Sequence, residues 1–276
     1  MGPAPLTLSP SWYHATMQDE RAMTIKAVLF DWGETLGPVS EQRGMAALPR
    51  EDVFGQDVLA PATAHLLGGP EPGLAELAQP DWEPPAQAWR ETTVRELLRT
   101  CYRLSGRAWP ADPVQQRALI LRQHIYLIAA MRAVPGAADV LAALRDQGLR
   151  LGLLSNAYWG LDVIRAMLDR DGLLSYFDVV LSSSAVGVRK PHPAIYRAVL
   201  ADLGVEPAET IFVGDRLLQD VAGPHRLGMQ AILTRQFRQE TPPTTGLARP
   251  DAIIHDLREL PDLLQTWPGR PAGAAT

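Results

Sequence analysis

Residues 26–36 read KAVLFDWGETL and contain the strand around which the rest of the chain is organised. Residues 27–30 form an unbroken apolar run, as expected of a short strand that is buried on both faces. The run ends in a carboxylate, Asp31, and Gly33 follows two positions later. A buried strand that delivers a charged side chain at its C-terminal end is a common way to build an active site in a parallel α/β sheet. An ordinary turn with a solvated aspartate is the alternative, and the rest of the chain has to decide between the two.

Composition limits the classes of protein to which the chain can belong. Its 276 residues suffice for one large domain or two smaller ones, and the apolar fraction of 46% is ample for a core. The net charge of −5 gives no sign of a nucleic-acid partner. Cys101 is the single cysteine, which rules out an intrachain disulfide and fits a reducing compartment.

The hydropathy pattern predicts neither a membrane span nor a signal peptide. The longest apolar run, residues 126–131, is far shorter than a span, and the first residues lack an apolar targeting segment. We therefore expect a cytoplasmic protein with no membrane partner. The sequence gives no indication of its oligomeric state.

From residue 133 onward, short apolar runs alternate with helical patterns. Strands separated by helices of this length predict a doubly wound parallel sheet, a Rossmann-like α/β core. The predicted strands are 27–30, 149–154, 177–181, 210–213, 230–233 and 252–254. The predicted helices are 137–147, 161–168, 193–203 and 217–227.

The remaining residues divide into an extension, an insertion and a tail. Residues 1–22 lack periodicity and are interpreted as an N-terminal extension, so the core comprises 23–38 and 133–267. Residues 39–132 contain no strand-like run and predict an inserted helical domain, with helices at 86–104 and 113–131. Residues 51–67 are expected to hold one or two further helices, and the Pro- and Gly-rich stretch 66–85 to form loops. The tail 268–276 has a composition typical of disorder.

Three later segments carry polar residues that could join Asp31 in one site. Ser155-Asn156 follows the second strand, Gly214-Asp215 follows the fourth with Asp220 five residues on, and Lys190 precedes a helix. Because the C-terminal ends of parallel strands share one edge of the sheet, these side chains should converge there.

This set of residue types suits phosphoryl transfer. Carboxylates close together repel each other, and a divalent cation with one lysine relieves the repulsion. Hard oxygen ligands at a partly open site favour Mg²⁺, and a cation with a lysine complements an anionic substrate. A carboxylate beside the cation can attack phosphorus, while Ser155 and the free amides of residues 32–35 can donate to phosphoryl oxygens.

The four segments resemble the four motifs of the haloacid dehalogenase (HAD) superfamily, in order and at suitable spacing. They are FDWGETL at 30–36, LSN at 154–156, VRKP at 188–191, and VGD at 213–215 with Asp220. The resemblance implies a Rossmann-like core, a helical cap of the C1 type at 39–132, and Mg²⁺-dependent hydrolysis of a small phosphorylated metabolite through a phospho-aspartate.

The same resemblance assigns roles to individual residues. It implies Asp31 as nucleophile, with Ser155 and Lys190 holding the phosphoryl group. It implies a metal site formed by Asp31, the Gly33 carbonyl and Asp215, supported by Asp220. Trp32 and Asn156 are expected at the substrate pocket, with Trp32 as its floor or in contact with the cap. Arg189 could contact an anion or the cap, or simply be solvated.

One position departs from the family pattern. Family phosphatases usually carry a second aspartate two residues after the nucleophile, which protonates the leaving group, and Gly33 occupies that position. Loss of such a group typically costs about 10²–10⁴-fold in rate. Three explanations remain open: good leaving groups or a water chain make the acid dispensable, Glu34 substitutes for it, or the reaction is not ester hydrolysis.

The third explanation leaves two alternatives to the phosphatase. One is a metal-independent 2-haloacid dehalogenase, which is similar in Ser155-Asn156 and Lys190 but lacks the metal ligand seen as Asp215. The other is a non-catalytic phosphate- or partner-binding protein, which would need no nucleophile. A phosphonoacetaldehyde hydrolase is disfavoured because no lysine lies between Lys26 and Lys190. The phosphatase is the favoured interpretation.

Overall fold

The computed structural model describes residues 24–37, 61–62, 65–66 and 89–268. The extension at 1–22, most of the first half of the insertion and the tail from residue 269 lie outside these ranges. The helices expected between 51 and 67, the loops expected at 66–85 and the predicted boundaries of the insertion therefore stay predictions.

The core is a single sheet of six parallel strands in the order β3-β2-β1-β4-β5-β6. The predicted Rossmann-like α/β fold is thus confirmed, and the strand with Asp31 at its end lies in the middle. The strands are β1 Ala27–Phe30, β2 Arg150–Ser155, β3 Val179–Ser182, β4 Thr210–Gly214, β5 Gln230–Thr234 and β6 Ala252–Ile254.

The register brings the C-terminal strand ends together. Phe30 is paired with Leu153 of β2 on one side and with Val213 of β4 on the other. Asp31 therefore emerges between the ends of β2 and β4, and its N–H donates to the Val213 carbonyl at 3.0 Å. The predicted convergence of the polar segments at this edge follows from the pairing.

Alternate residues of β1 enter two different cores. Val28 and Phe30 face one side of the sheet, and Ala27 and Leu29 face the other, all fully buried. Full burial of a leucine or phenylalanine side chain contributes about 1.5–3 kcal/mol. The helices that cover the two faces are α3 Ala137–Asp146, α4 Leu161–Arg170 and α8 Leu260–Gln265 on the first and α6 Pro193–Leu203 on the second.

Two helices of the insertion are described and share a small core. They are α1 Val94–Leu104 and α2 Pro113–Ala130, and the core contains Ala62, Leu97, Leu98, Cys101, Tyr102 and Leu119. The first helix was predicted to begin at residue 86, which is wrong. Thr93 caps it through a reciprocal pair with Glu96, so residues 90–93 precede the helix.

Two core elements also differ from prediction. The third strand begins at Val179 rather than 177, because a short 3₁₀ turn, Leu174–Tyr176, precedes it. The predicted helix 217–227 is found as two adjoining helical segments, a wide π-helical turn, Leu217–Ala222, and a short α-helix α7, Gly223–Arg226. Pro224 lacks the N–H that a continuous α-helix needs, and it lies in the first turn of the second segment, where that N–H is not needed. A further short helix, α5, spans Ser183–Val186.

No helix in the described parts of the chain combines the length and apolar character that crossing a membrane requires.

Candidate active site

Asp31 lies at the C-terminal end of the central strand, with 8% of its surface exposed. The residues after it, Trp32–Leu36, form a wide turn that the Gly37 N–H closes by donating to the Trp32 carbonyl at 2.6 Å. Within this turn Glu34 has a φ of 54°, in the left-handed region that side chains other than glycine rarely adopt. The turn places the backbone of residues 32–35 beside the nucleophile candidate.

Lys190 is buried between two of the carboxylates. Its Nζ donates to Asp31 Oδ1 at 2.9 Å and to Asp220 Oδ1 at 2.6 Å, and it lies 4.9 Å above the Phe212 ring centroid. Burial lowers the pKa of the lysine, but the charges of Asp220 and Asp31 more than offset this and raise the pKa overall. Lys190 is therefore a fixed cation at the floor of the site.

Asp220 is held from both sides. Its second oxygen, Oδ2, accepts the N–H groups of Asp215 and Arg216 at 3.2 and 3.0 Å. The chain can fold this closely because Gly214 lacks a side chain; a Cβ there would lie under 3.0 Å from three Asp220 atoms. One Asp220 oxygen thus binds Lys190 and the other binds the backbone, while its predicted support of the metal stays a prediction.

The three carboxylates form a compact cluster. Asp31, Asp215 and Asp220 each present an oxygen within 4.8 Å of the other two. Burial, together with the charges of Asp220 and Asp31, raises the pKa of Asp215 to about 8. When all three are ionised, they carry more negative charge than Lys190 and the nearby Arg238 balance, because Arg238 also pairs with Glu34. A divalent cation would neutralise the excess in this desolvated place. The residues present therefore fit the predicted Mg²⁺ site.

Gly33 is beside this cluster, since a Cβ built on it would lie 3.9 Å from Asp31 Oδ2. Its carbonyl remains a predicted metal ligand. Among the described residues outside its two chain neighbours, no other atom lies within 4 Å of such a Cβ, and Oδ2 is the Asp31 oxygen that Lys190 does not bind.

Ser155 and Asn156 lie at the end of β2, next to β1. Ser155 is buried. The Asn156 side chain accepts the Lys190 N–H at 2.8 Å and donates to the Lys190 carbonyl at 3.2 Å and to Gln219 at 3.1 Å. Asn156 therefore fixes the segment that carries the lysine, and the substrate contact expected of it stays a prediction.

Trp32 is packed in the core. Its side chain is 1% exposed and lies so close to Gly37 that a Cβ there would overlap the indole ring. Its Nε1 is buried with no hydrogen-bond partner among the described residues. The position supports the turn that follows Asp31, while the predicted contact with substrate or cap stays a prediction.

Sequence reasoning missed two residues near the site. Arg238, in the loop after β5, contacts Asp215 through Nε and Glu34 through Nη2, both at 2.6 Å. Glu91, in the insertion, is buried and accepts two contacts from Arg189 Nη1, at 3.0 and 2.9 Å. No local pattern marks Arg238, which is 23 positions from its aspartate. The sequence left an anion, the cap or solvent as the possible surroundings of Arg189, and the structure pairs it with Glu91 of the insertion.

Comparisons with known proteins agree with this geometry. The family model of haloacid dehalogenase-like hydrolases matches residues 25–228. A glyceraldehyde 3-phosphate phosphatase of Methanopyrus kandleri is 30% identical over 87% of this chain and 97% of its own length. A phosphoserine phosphatase of Thermus thermophilus is 39% identical over 68% of each chain.

Solved structures show the same fold. The L-2-haloacid dehalogenase RSc1362 superposes with a TM-score of 0.57, at 24% identity, over 88% of this chain and all of that one. This likeness concerns the fold, whereas the family model and the first relative span most of the sequence. The chain belongs to the haloacid dehalogenase-like hydrolases.

Proposed function

We propose that the protein is a Mg²⁺-dependent phosphatase of a small phosphorylated metabolite, acting through a phospho-Asp31 intermediate. The observation that carries the proposal is the cluster of Asp31, Asp215 and Asp220 beside Lys190, whose oxygens lie within 4.8 Å of one another and carry excess negative charge when all are ionised. Such a site suits a divalent cation and a phosphoryl group together.

The nucleophilic step uses the free side of Asp31. Lys190 binds Oδ1, which leaves Oδ2, beside Gly33, to attack phosphorus. The new Oδ2–P bond forms as the P–O bond to the leaving group breaks, and the departing oxygen takes a proton from water. A second water then attacks the aspartyl phosphate, releasing inorganic phosphate and restoring the Asp31 carboxylate.

The surrounding residues stabilise the phosphoryl group. When bound, Mg²⁺ supplies charge neutralisation and Lewis-acid polarisation of a phosphoryl oxygen. Ser155 and the amides of residues 32–35 are expected to donate to the other oxygens as negative charge develops on them. Asn156 fixes the backbone of Lys190, so that the lysine is positioned before substrate binds.

Two relatives support the choice of a phosphomonoester. The Methanopyrus and Thermus proteins are named for glyceraldehyde 3-phosphate and phosphoserine, which are both small phosphorylated molecules. We infer a substrate of the same size class for this chain. Because Gly33 supplies no acid, esters with good leaving groups should react fastest. A cytoplasmic location and the absence of a nucleic-acid partner stay predictions of the sequence.

A 2-haloacid dehalogenase is the second candidate. Asp31, Ser155 and Lys190 would suffice to displace a halide, and Gly33 removes the residue that most clearly marks a phosphatase. The buried Asp215 counts against this candidate. A metal-free reaction has no use for a third carboxylate in a place that raises its pKa to about 8.

Hydrolysis of p-nitrophenyl phosphate tests the proposal. Turnover should require Mg²⁺, stop with EDTA and be lost in Asp31→Asn, which keeps the shape of the side chain but cannot form the aspartyl phosphate. The leaving group needs little protonation, so Gly33 should not limit this assay. Halide release from 2-haloacids in EDTA, with no phosphatase activity, would identify the dehalogenase instead.

A further inference from the structure

Arg238 connects two acidic residues at the edge of the site. Its Nε lies 2.6 Å from Asp215 Oδ2, and its Nη2 lies 2.6 Å from Glu34 Oε2. Asp215 is 2% exposed, whereas the arginine is partly exposed. One guanidinium thus joins the loop after β5 to the carboxylate cluster and to the turn after β1.

The contact leaves one oxygen of Asp215 available. Arg238 binds Oδ2, and no described residue donates a hydrogen bond to Oδ1. A guanidinium that binds one carboxylate oxygen restricts the rotation of the carboxylate and so limits where the other oxygen points. In metal sites such outer contacts orient the ligands, and their loss typically costs about 10–100-fold in metal affinity.

Glu34, which pairs with Arg238, has an unfavourable backbone conformation. Its φ of 54° lies in a region suited to glycine, and such conformations persist where the surroundings over-determine them. The Glu34 side chain is 19% exposed and paired with Arg238. The carboxylate is therefore largely shielded from solvent and held in an ion pair.

The loop that carries Arg238 is itself anchored. Arg235 Nη2 donates to the Glu240 carbonyl at 2.7 Å, and the Glu240 side chain accepts the Leu217 N–H at 2.8 Å. Leu217 begins the turn that carries Asp220. The loop of Arg238 is therefore attached to the chain that follows β4 at two places, at Leu217 through Glu240 and at Asp215 through Arg238 itself.

We propose that Arg238 is a positioning residue for the cation site: it orients Asp215 toward the divalent cation, and Glu34 holds Arg238 in place. The inference rests on the proposed function, because it assigns Arg238 a task in the same Mg²⁺ site. It also gives Glu34 a role other than that of a substitute acid.

Mn²⁺ binding followed by electron paramagnetic resonance tests this inference on the whole protein. Arg238→Met keeps the apolar stem and removes the donors, and we expect a 10–100-fold higher Kd for Mn²⁺. The Kd of Arg238→Lys should lie between those of the wild type and Arg238→Met, because an ammonium keeps the charge but cannot bridge both carboxylates. Arg249→Met, at an exposed arginine of the same loop, is the matched control and should bind like the wild type. Melting temperatures in EDTA verify that each variant folds.

The sign of the effect separates positioning from plain electrostatics. Removing a positive charge beside the cluster should tighten Mn²⁺ binding if charge alone matters. Unchanged or tighter binding by Arg238→Met therefore overturns the inference while leaving the proposed function intact. If the wild type itself binds no Mn²⁺, the Mg²⁺-dependent function fails first, and the role of Arg238 fails with it.

A double variant tests the role of Glu34. Glu34→Gly removes the carboxylate and relieves the backbone strain, and it should raise the Kd for Mn²⁺ in the wild-type background. If Glu34 acts through Arg238, the same change has no effect in Arg238→Met. An equal loss in both backgrounds would contradict the coupling.

Discussion

Gly33 is the residue that most restricts the chemistry. Its φ of −66° and ψ of 131° are ordinary for any residue, so no backbone requirement calls for glycine there. Among the described residues outside its two chain neighbours, a Cβ would meet Asp31 Oδ2 alone, at 3.9 Å. The position can therefore accept a side chain, and the missing acid can be put back.

Gly33→Asp should raise the rate with poor leaving groups. An acid at this position can protonate a departing alkoxide, so we expect up to about 10²-fold higher kcat/KM with alkyl phosphates and little change with p-nitrophenyl phosphate. Gly33→Asn, equal in size but unable to donate the proton, is the control. A rise that is equal for both leaving groups, or equal in the asparagine variant, would contradict general acid catalysis at this position.

Gly214, in contrast to Gly33, has no space for a side chain. A Cβ at this position would overlap the Asp220 side chain, which has no room to move because Lys190 and two backbone N–H groups hold it. Gly214→Ala should therefore lower the free energy of unfolding by about 1–3 kcal/mol and reduce kcat/KM as Asp220 shifts. Urea unfolding and p-nitrophenyl phosphate kinetics measure both quantities. Gly33→Ala is the matched control, and a similar loss in the two variants would disprove the role of the close contact.

The sequence predicted the site residues that lie at strand ends, but not the residues that reach the site from other segments. Asp31 and Ser155 follow an apolar run directly, and Asp215 follows one after a single glycine, so parallel pairing alone predicts that they meet. The contact of Arg238 with Asp215 depends on the path of a loop, which no periodicity encodes. For Glu34 the sequence left the partner open, and the left-handed φ is visible only in the structure.

At the scale of elements, a short extended segment joins the insertion to the core. Arg90 forms an antiparallel bridge with Val188, and the Glu91 N–H donates to the Gly187 carbonyl at 2.9 Å. The Glu91 carboxylate accepts from Arg189 and from the Ser183 hydroxyl, which in turn accepts the Ala157 N–H at 2.7 Å. One carboxylate of the insertion thus connects the segments that carry Lys190 and Ser155.

Glu91→Gln should weaken phosphate binding as well as stability. It leaves the Arg189 guanidinium, whose side chain is 20% exposed, without its counter-charge, so we expect a loss of about 2–3 kcal/mol in the free energy of unfolding. The inhibition constant of inorganic phosphate should rise, because the segments on either side of the phosphoryl site loosen. Urea unfolding and phosphate inhibition of p-nitrophenyl phosphate hydrolysis are the measurements.

A second substitution verifies the cause. Adding Arg189→Gln removes the uncompensated charge and should restore part of the stability. Lys26→Met, which breaks an ion pair whose lysine is 54% exposed, should cost no more than about 1 kcal/mol. If Glu91→Gln lowers the free energy of unfolding no more than this control does, the Glu91–Arg189 pair does not stabilise the contact between the insertion and the core.

The misplaced start of the first insertion helix shows where periodicity fails. Trp89 extended the apolar spacing of the helix backward, but its carbonyl accepts the Arg189 N–H at 2.8 Å in the bridge to the core. The capping pair Thr93–Glu96 marks the true start and is visible in the sequence. Local capping chemistry was the better guide, because the spacing of apolar residues does not distinguish helical packing from pairing with a distant strand.

At the scale of the whole molecule, the alternation of strands and helices predicted the layered fold. Successive residues of β1 enter opposite cores, so the strand had to be apolar throughout and covered on both faces. The strand order is a further fact that alternation alone does not determine. It places β1 between β2 and β4, and this creates the crevice where the three carboxylates meet.

The carboxylate cluster should make the stability of the metal-free protein depend on pH. An unfolded Asp215 ionises near 3.8, whereas burial and the charges of Asp220 and Asp31 raise its pKa to about 8 in the fold. Between these values the folded chain binds a proton that the unfolded chain lacks, so the free energy of unfolding should fall as the pH rises from about 4 to about 8. The fold is thus least stable, in EDTA, where the ionised cluster is complete.

Mg²⁺ should reverse this dependence, because it binds the ionised cluster and is absent from the unfolded chain. Urea unfolding in EDTA and in Mg²⁺ should therefore give a stabilisation by the metal that is larger at pH about 8 than at pH about 6. Asp215→Asn removes the titrating group and one ligand, so it should flatten the pH dependence in EDTA and reduce the effect of Mg²⁺. Equal stabilisation by Mg²⁺ at both pH values would mean that the charge on Asp215 is already balanced without the cation, and the argument for a divalent site would lose its electrostatic basis.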